Sequence, residues 1–479
     1  MKKKIAVFAN GWSQDNLEKF IKGALSILLP ESTDIFLFLA HGSFGMNEET
    51  RANESLIYDL PDDYSMFDGA VMLGAGMNFT DVIEHVAKKL KEAKIPTISM
   101  GYRDPDFYFL GSDNEKGMRT LTEHLIREHG CRNIKFIAGA KNHEDSDARL
   151  NTVRKVLAEH NIKFTDEDYT YTNWENTAAA DYALETCRNA VDKPDAFICA
   201  NDIMAIYVAL FLGDEHINVP GEVIVTGFDY INNGKLFFPS ISSVDQHFDK
   251  LGIKCASLMR DIFSGKDVPR ENYVGCEFIP GESCGCTFLR NADKLRREYT
   301  REIPRRDYID RYKESKISIV TEGIKDSDSY SNLSANIRKK MEEETSDGSD
   351  TFYLMIDPRI KELGHRPVEE MPAAELAAEY DVLCAKIDGE LINVKKVSRK
   401  ELIPAYSSEG FNRLYTFVPL YIQQFFCGYF IMPYVSNYIS DLTYHDYEEK
   451  LRDALSRYRM NLQMSEYRTK ISELTQSYE

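Results

Sequence analysis

Short apolar runs and amphipathic stretches alternate along the first 285 residues of the chain. The apolar runs at residues 5–8, 35–39, 70–73 and 97–100 have the length of buried strands. Between them, apolar residues recur at three- and four-residue steps, which is typical of amphipathic helices. The same alternation starts again near residue 108. The pattern therefore predicts an α/β fold of two similar lobes, each with a parallel sheet covered by helices.

Polar residues follow the predicted strands at the point where each strand stops. Within residues 196–246, Asn201 and Asp202 follow one apolar run, and Gly227 and Asp229 follow the next. Open α/β sheets bind ligands at the carboxyl ends of their strands, so these residues predict a binding site. Asp202 is also expected to cap the helix that comes after it. Gly227 is expected to serve the geometry of the backbone.

The pattern changes after residue 285. Residues 286–306 are densely charged and predict a linker, and residues 307–440 predict a small α+β domain that ends in an antiparallel hairpin. The aromatic-rich sequence of the hairpin is similar to the last strands of GAF or PAS sensory domains. Residues 441–479 predict a signalling helix that pairs as a coiled coil, and the alternative is a surface helix packed on its own domain. The apolar seam consists of Leu451, Leu455, Tyr458, Leu462, Tyr467, Ile471 and Leu474.

Charge and composition narrow the classes of protein. A formal net charge of −19 argues against a nucleic-acid-binding surface, which needs clustered Lys and Arg. We find no run of about 20 apolar residues that would predict a membrane span. The basic start of the chain leads into a segment whose polar break does not fit a signal peptide. These features predict a cytoplasmic protein, and nine cysteines without framework spacing fit a reducing compartment.

Three cysteines near the end of the first segment raise the question of a metal site. Cys276, Cys284 and Cys286 are a possible three-thiolate set, and the alternative is an ordinary turn by which the chain leaves the domain. Structural zinc usually has four ligands with C-x₂₋₄-C spacing, and the local sequence provides neither. The sequence therefore predicts no metal and no cofactor.

Several ordered motifs carry a resemblance to a known family. They are FLGSDNEKGMRTLTEHLIREHGCRNIKFIAG, DSDARLNTVRKVLAEHNI, PDAFICANDIMA, NVPGEVIVTGFD and SISSVDQHFDKLGIKCASLMRDIFSGK. Over about residues 4–285 the chain resembles the effector-binding core of the LacI/GalR family. The resemblance implies a two-lobed, periplasmic-binding-protein-like type 1 fold over residues 1–285. It also implies a small effector, often a sugar, held between the lobes.

The resemblance implies roles for particular residues. Arg149 matches an arginine that typically contacts the effector, Asn201 the polar residue of the A-N-D turn, and Asp229 the aspartate of V-x-G-F-D. The chain departs from the family pattern after Arg149, where a glycine–aromatic pair is replaced by Thr152 and Val153. Local packing is therefore expected to differ there.

The first loop departs from the family pattern as well. The usual aromatic pair is replaced near Asn16, which is itself an expected ligand contact, and Trp12 is left as the expected stacking platform for the effector. The alternative for Trp12 is a side chain packed under a lobe.

The resemblance also bears on the output of the protein. Family repressors carry a helix-turn-helix before this core, whereas here the first strand lies a few residues after Met1. No direct binding of nucleic acid or membrane is therefore expected. The order of core, middle domain and exit helix resembles the sensory half of bacterial signalling proteins whose output is a GGDEF diguanylate cyclase or an AraC-type domain.

The sequence as a whole predicts a cytosolic small-molecule sensor, with a sugar as the expected effector and a homodimer as the expected state. Ligand-induced closure of the lobes would reach an output domain or partner through the C-terminal helix. We find no catalytic motif such as G-x-S-x-G, a P-loop or H-E-x-x-H in a suitable context. The alternatives are a solute-binding protein of a transport system and an enzyme that acts on the bound molecule.

Overall fold

The structure is a computed structural model that describes residues 2–29, 32–42, 46–77, 79–189, 192–286, 289–343, 351–364, 366–371, 375–407 and 413–478. Its contacts divide the chain into two compact units. Unit 1 consists of Met1–Phe109, Cys255–Arg270 and Asp307–Glu479. Unit 2 consists of Leu110–Lys254 and Glu271–Arg306.

Eighteen strands are found in the described residues. In chain order they are β1 Lys3–Asn10, β2 Thr33–Ala40, β3 Gly69–Leu73, β4 Thr97–Met100, β5 Tyr108–Ser112, β6 Ile134–Ala138, β7 Tyr169–Tyr171, β8 Ala196–Cys199, β9 Ile224–Thr226, β10 Ser243–Asp245, β11 Glu271–Val274, β12 Glu277–Ile279, β13 Phe352–Ile356, β14 Glu379–Ile387, β15 Glu390–Leu391, β16 Lys396–Ser398, β17 Leu414–Ile422 and β18 Phe425–Pro433.

Thirteen α-helices accompany them in the same part of the chain. They are α1 Gln14–Leu28, α2 Glu48–Ser55, α3 Gly74–Met77, α4 Thr80–Ala93, α5 Asn114–Glu128, α6 Glu144–Glu159, α7 Asn176–Asn189, α8 Asp202–Asp214, α9 Asn232–Leu236, α10 Phe248–Phe263, α11 Leu289–Lys325, α12 Tyr330–Glu343 and α13 Thr443–Tyr478. No described helix is long and apolar enough to cross a membrane.

Unit 2 contains a parallel four-stranded sheet in the order β7-β6-β8-β9. Its strands alternate with α6, α7 and α8, as the sequence pattern predicts. β8 is an apolar run that is buried along its whole length, and its neighbour β6 is buried except at Lys135, whereas the edge strand β7 is half-buried. A parallel sheet needs cover on both faces, which explains why the two central strands are nearly continuously apolar instead of alternating.

In unit 1, strands from the N-terminal and the C-terminal parts of the chain form one sheet. From the start of β5, the strand order is β5-β4-β3-β1-β2-β17-β18-β13-β14-β15, and β16 pairs with β14. β17 lies parallel to β2, with Leu414 opposite Ile35 and Phe417 opposite Phe38. The sequence predicts a separate domain over residues 307–440. The sheet instead continues across the predicted boundary, and the GAF/PAS-like identity of this segment is not confirmed.

Aromatic side chains hold this junction together. The rings of Phe8 and Phe38 stack with their centroids 5.3 Å apart, and those of Phe38 and Phe417 with their centroids 4.8 Å apart. Tyr429 on β18 continues the row, 6.3 Å from Phe417. Aromatic pairs at these separations add roughly 0.5–1.5 kcal/mol each beyond the area they bury. The hairpin β17–β18 therefore shares its hydrophobic core with β1 and β2.

The predicted hairpin is confirmed, and one glycine shows why it fits. Gly428 in β18 has a φ of 149°, and a Cβ at this position would lie 2.1 Å from the carbonyl oxygen of Met355. β13 pairs with β18 along this stretch, so any larger residue would separate the two strands. The glycine is needed for close approach of the backbones.

The segments predicted as linker and signalling helix are both helical. α11 runs through the charged residues 289–306 and continues to Lys325, with Pro304 inside it. α13 changes character along its length. Tyr444 and Leu451 are buried in unit 1, whereas Tyr467 and Ile471 are each 63% exposed. The first half of the predicted seam therefore packs on the protein's own unit, and pairing of the second half stays a prediction.

Candidate functional site

The carboxyl edge of the unit 2 sheet brings the predicted polar residues together. Asn201 follows β8 and Asp229 lies three residues after β9, and these two strands are neighbours. Both side chains are half-buried. The strand β6 lies on the other side of β8, and the helix that follows β6, α6, carries Arg149. The location of these residues at one sheet edge is therefore as the sequence predicts.

Arg149 is the most deeply buried member of this group. It is 3% exposed, and its guanidinium donates to the carbonyl oxygen of Ala200 at 2.7 Å and to Oδ1 of Asn114 at 3.0 Å. Its Cζ lies 3.9 Å from the centroid of the Phe228 ring. Since Ala200 precedes Asn201 and Phe228 precedes Asp229, the arginine fixes both loops that carry the predicted ligand contacts. A buried cation held in this way is suited to a polar or anionic group of a ligand.

The roles of Asn201 and Asp202 differ from the prediction. Asn201 is the residue that caps α8, because its Oδ1 accepts from the backbone N–H of Met204 at 2.9 Å. Asp202 is the first residue of the helix and is buried, and its carboxylate accepts from Ile231 N–H and from the Ser243 hydroxyl. The expected cap at Asp202 is therefore wrong. Its carboxylate fixes the loop after β9 instead.

Gly227 is required by space, not by a special backbone angle. A Cβ there would lie 2.2 Å from Oδ1 and 2.9 Å from Cα of Asp202. Asp229 is the residue with an unusual backbone, at φ 109°, and its carboxylate accepts from the side-chain amide of Gln246. A non-glycine residue in this region costs of order 1–3 kcal/mol, which is typical of functional loops.

Thr152 and Val153, which depart from the family pattern after Arg149, are both buried. Thr152 is buried and its hydroxyl donates to the carbonyl oxygen of Ala148 at 2.8 Å, and Val153 is fully buried in the core of unit 2. Both side chains therefore serve packing of α6.

Trp174 is a residue of this edge that the sequence reasoning missed. It lies three residues after β7, at φ 65°, and a Cβ on Gly139 would lie 2.4 Å from its ring. The ring meets that of His143 edge to face, with centroids 5.1 Å apart. Its position after a strand end was a usable signal. A half-buried indole at this edge can stack on the apolar face of a ligand.

Trp12 and Asn16 belong to unit 1. The indole N–H of Trp12 donates to the carbonyl oxygen of His41, and its ring centroid lies 5.1 Å from that of His445. Asn16 lies in the first turn of α1, and its Oδ1 is buried without a hydrogen-bond partner among the residues that the structure describes. Within unit 1, therefore, Trp12 packs against other residues as in the second expectation, and ligand contact by either residue stays a prediction.

A buried histidine–glutamate cluster lies beside Trp12 in unit 1, formed by His41, Glu54, His445 and Glu448. Nδ1 of His41 lies 3.3 Å from Oε2 of Glu448, and Nδ1 of His445 lies 3.6 Å from the same oxygen. The backbone N–H of His41 donates to Glu54. Two imidazoles and a carboxylate are a donor set that a divalent metal ion can use. The alternative is that a proton shared between these side chains balances the charge of the carboxylates.

Burial controls the protonation of this cluster. It lowers the pKa of His41 to about 4, and burial together with the nearby Glu448 raises the pKa of Glu54 to about 8. Burial opposes the charged form of His445, but the carboxylates around it, with Glu448 foremost, together outweigh burial and raise the pKa of that imidazole. At neutral pH the cluster therefore has a neutral His41 and a protonated Glu54.

Comparisons with known proteins agree with this architecture. Residues 122–284 match the model of a periplasmic binding protein-like domain. The chain is 24% identical over 209 residues to catabolite control protein A of Staphylococcus xylosus, covering 43% of this chain and 61% of that protein. It is 23% identical over 210 residues to the transcriptional repressor PurR of Mannheimia succiniciproducens, covering 43% and 60%. The chain thus spans about 60% of the length of these relatives.

Solved structures show the same fold. A complex of the transcriptional regulator CelR with cellobiose is 21% identical, with a TM-score of 0.50 over 59% of this chain and 85% of that one. A LacI-family regulator from Mycobacterium smegmatis is 19% identical, with a TM-score of 0.50 over 58% and 98%. The predicted α/β fold of the periplasmic-binding-protein type is therefore confirmed.

Proposed function

We propose that the chain is a small-molecule sensor built on an effector-binding core of the LacI/GalR type, which the match of residues 122–284 and the similarity to catabolite control protein A and PurR support. The effector binds at the carboxyl edge of the unit 2 sheet, and a polyhydroxylated molecule such as a sugar is the proposed class. The buried guanidinium of Arg149, fixed over Phe228 and against Ala200, carries the proposal. A buried charge costs stability unless it is paired, and the contacts with Ala200 and Asn114, together with Asp145 at 4.0 Å, hold the guanidinium at this edge, where a polar ligand can contact it.

The other residues of the edge have complementary chemistry. Asp229 provides a carboxylate and Asn201 an amide, and Trp174 provides an aromatic face. Hydroxyl groups both donate and accept, so neighbouring hydroxyls on a sugar ring can satisfy a carboxylate and a guanidinium together. The complex of CelR with cellobiose supports a sugar as the class. A nucleoside, whose base could stack on the ring of Trp174, is the second class to test.

The exposed end of α13 is the proposed route of the signal. Its apolar residues continue at alternating steps of four and three, which is the heptad pattern: Met460, Met464, Tyr467, Ile471 and Leu474. All five are more than half exposed in the single chain. We infer that a second copy of the chain covers this seam in a parallel coiled coil. Such a pair would pass a ligand-dependent change to an output in transcriptional or cyclic-di-GMP signalling.

Ligand-dependent unfolding tests the binding site. Unfolding temperatures are measured by scanning fluorimetry with pentoses, hexoses, disaccharides, nucleosides and purines. A true effector at a hundredfold over its Kd should stabilise the protein by about 2.7 kcal/mol. Arg149→Met and Asp229→Asn should each abolish the shift, whereas Arg154→Met, on the same helix and partly exposed, should keep it. An unchanged shift in both site variants would refute the site.

The two alternatives make different predictions in the same assay. An enzyme would convert the stabilising molecule over hours, which mass spectrometry of the mixture would detect. A transport receptor would bind the same class of ligand, but its self-association would not depend on α13. The relatives include proteins named as transcriptional repressors, which favours the sensor.

A further inference from the structure

Two histidines and two cysteines from distant parts of unit 2 converge on one point. His124 lies in the last turns of α5 and His129 directly follows that helix, while Cys284 and Cys286 lie in the turn that precedes α11. Nε2 of each histidine and Sγ of each cysteine all lie within 4.8 Å of one another. Both thiols are free of disulfides.

The separations match those of a tetrahedral metal site. Sγ of Cys286 lies 3.4 Å from Nε2 of His124 and 3.4 Å from Nε2 of His129. Sγ of Cys284 lies 3.7 Å from Nε2 of His124, and the two Nε2 atoms are 3.1 Å apart. With Zn–S near 2.3 Å and Zn–N near 2.0–2.1 Å, a tetrahedron has S···N edges of about 3.6 Å and an N···N edge of about 3.3 Å.

The backbone on both sides is shaped to present these four atoms. Gly130 has a φ of 70° and reverses the chain after His129 at the end of α5. Gly285 has a φ of 87°, and apart from its chain neighbours the nearest described atom to an added Cβ is Cγ of Pro220 at 3.6 Å, so conformation and not space requires the glycine. It lets the cysteines on either side of it point their sulfurs to the same place.

The turn that carries the cysteines is itself anchored. Ser283 directly precedes Cys284, and its hydroxyl donates to the carbonyl oxygen of Val225 and accepts from the backbone N–H of Ser242. Next to it, Glu282 forms an ion pair with Arg296 of α11. Outer contacts of this kind hold metal ligands in place before the metal binds.

We propose that His124, His129, Cys284 and Cys286 bind one structural zinc ion. A Cys₂His₂ set with four protein ligands is closed, which is typical of structural zinc and leaves no position for catalysis. The set completes the pair Cys284 and Cys286 with two histidines that lie 155 to 162 residues away. Cys276, the third cysteine of the sequence motif, is not part of it. Zinc would tie the end of α5 to the start of α11, the helix that leaves this unit.

Metal content of the full chain tests the proposal. The protein is produced with zinc, purified without chelator under reducing conditions, and analysed by inductively coupled plasma mass spectrometry. The expected result is one zinc per chain, lost in Cys284→Ser/Cys286→Ser and retained in Cys276→Ala. His445→Asn, in the histidine–glutamate cluster of unit 1, should also retain it. Loss in His445→Asn with retention in the double cysteine variant would overturn the proposal.

A second measurement on the wild-type chain covers the case in which the variant does not fold. Zinc is removed with a chelator and replaced by Co²⁺. The expected spectrum has intense visible bands of tetrahedral cobalt and near-ultraviolet thiolate-to-cobalt charge transfer. Absence of the charge-transfer band, or no stoichiometric zinc in the wild-type protein, would overturn the proposal. So would a Cys284–Cys286 disulfide that persists under the same reducing conditions.

Discussion

Removal of the Glu18 carboxylate should destabilise unit 1 strongly. Glu18 lies on α1 and is 4% exposed, and besides Lys22 on the same helix its partners come from the segment between β18 and α13. Its carboxylate accepts from the Tyr434 hydroxyl and from the backbone N–H groups of Asn437, Ile439 and Ser440. One buried charge thus holds the start of the C-terminal helix against the first helix of the chain.

The size of the effect follows from these four donors. Leaving a buried donor unsatisfied costs about 1–3 kcal/mol, and less where water can reach it. The bond to Ile439 is buried and the others are partly buried, so Glu18→Ala should cost about 3–4 kcal/mol. Glu18→Gln keeps one acceptor oxygen and places an amide against two donors. It should cost about half as much.

Urea unfolding followed by circular dichroism measures this cost, and hydrogen exchange assigns it to a unit. Amide protection at Ile439 and Ser440 should fall in Glu18→Ala before protection in unit 2 changes. Glu92→Ala removes an exposed glutamate from α4 and should cost less than about 0.5 kcal/mol. A cost for Glu18→Ala equal to that of Glu92→Ala would refute the docking of residues 434–440 on α1.

Three further predictions concern other parts of the chain. Gly227→Ala should lower stability by about 1–3 kcal/mol in thermal unfolding, because its Cβ meets backbone as well as side-chain atoms of Asp202; a neutral result would contradict the close approach. The pKa of Glu54 is raised to about 8 in the folded protein, whereas it is near 4.3 in the unfolded chain. Between these two pH values the folded state binds the proton more strongly than the unfolded state, so the free energy of unfolding falls as the pH rises through this window. Glu54→Gln should therefore gain stability relative to wild type from pH 5 to pH 8 in urea titrations, and a constant difference would contradict the assignment. Ile471→Glu should convert a dimer to a monomer in analytical ultracentrifugation, whereas Thr469→Glu, on the opposite face, should not.

Sequence periodicity predicts local structure here better than it predicts partners. The alternation of strands and helices and the hairpin of β17 and β18 follow from short-range patterns. The parallel pairing of β17 with β2 does not, because the two strands lie more than 370 residues apart and their apolar runs carry no register signal. β2 is buried at every position, which fits a strand with neighbours on both sides. The apolar sequence of β2 thus indicates a central strand, but it does not indicate which strand lies beside it.

The candidate site likewise contains residues that the sequence predicts and residues that it does not. Arg149 and Asp229 were found through motif resemblance, and their location at one sheet edge follows from the rule for parallel sheets. The cap of α8 lies at Asn201 instead of Asp202 because the helix begins one residue earlier than the pattern predicts, and helix boundaries are the least certain part of a periodic pattern. The zinc ligands could not be paired from sequence, because His124 and Cys286 are separated by 162 residues.

Fluorescence of Trp174 tests most directly whether an effector binds at the carboxyl edge of the unit 2 sheet. The chain contains two tryptophans, Trp12 in unit 1 and Trp174 in unit 2, so Trp12→Phe leaves one reporter at the proposed effector edge. Titration with an effector found by thermal shift should change Trp174 emission saturably, with the same Kd as its stabilising effect. The additional change Arg149→Met should abolish both signals. Stabilisation by the effector without any change in Trp174 emission, or an emission change that survives the loss of Arg149, would contradict effector binding at this edge.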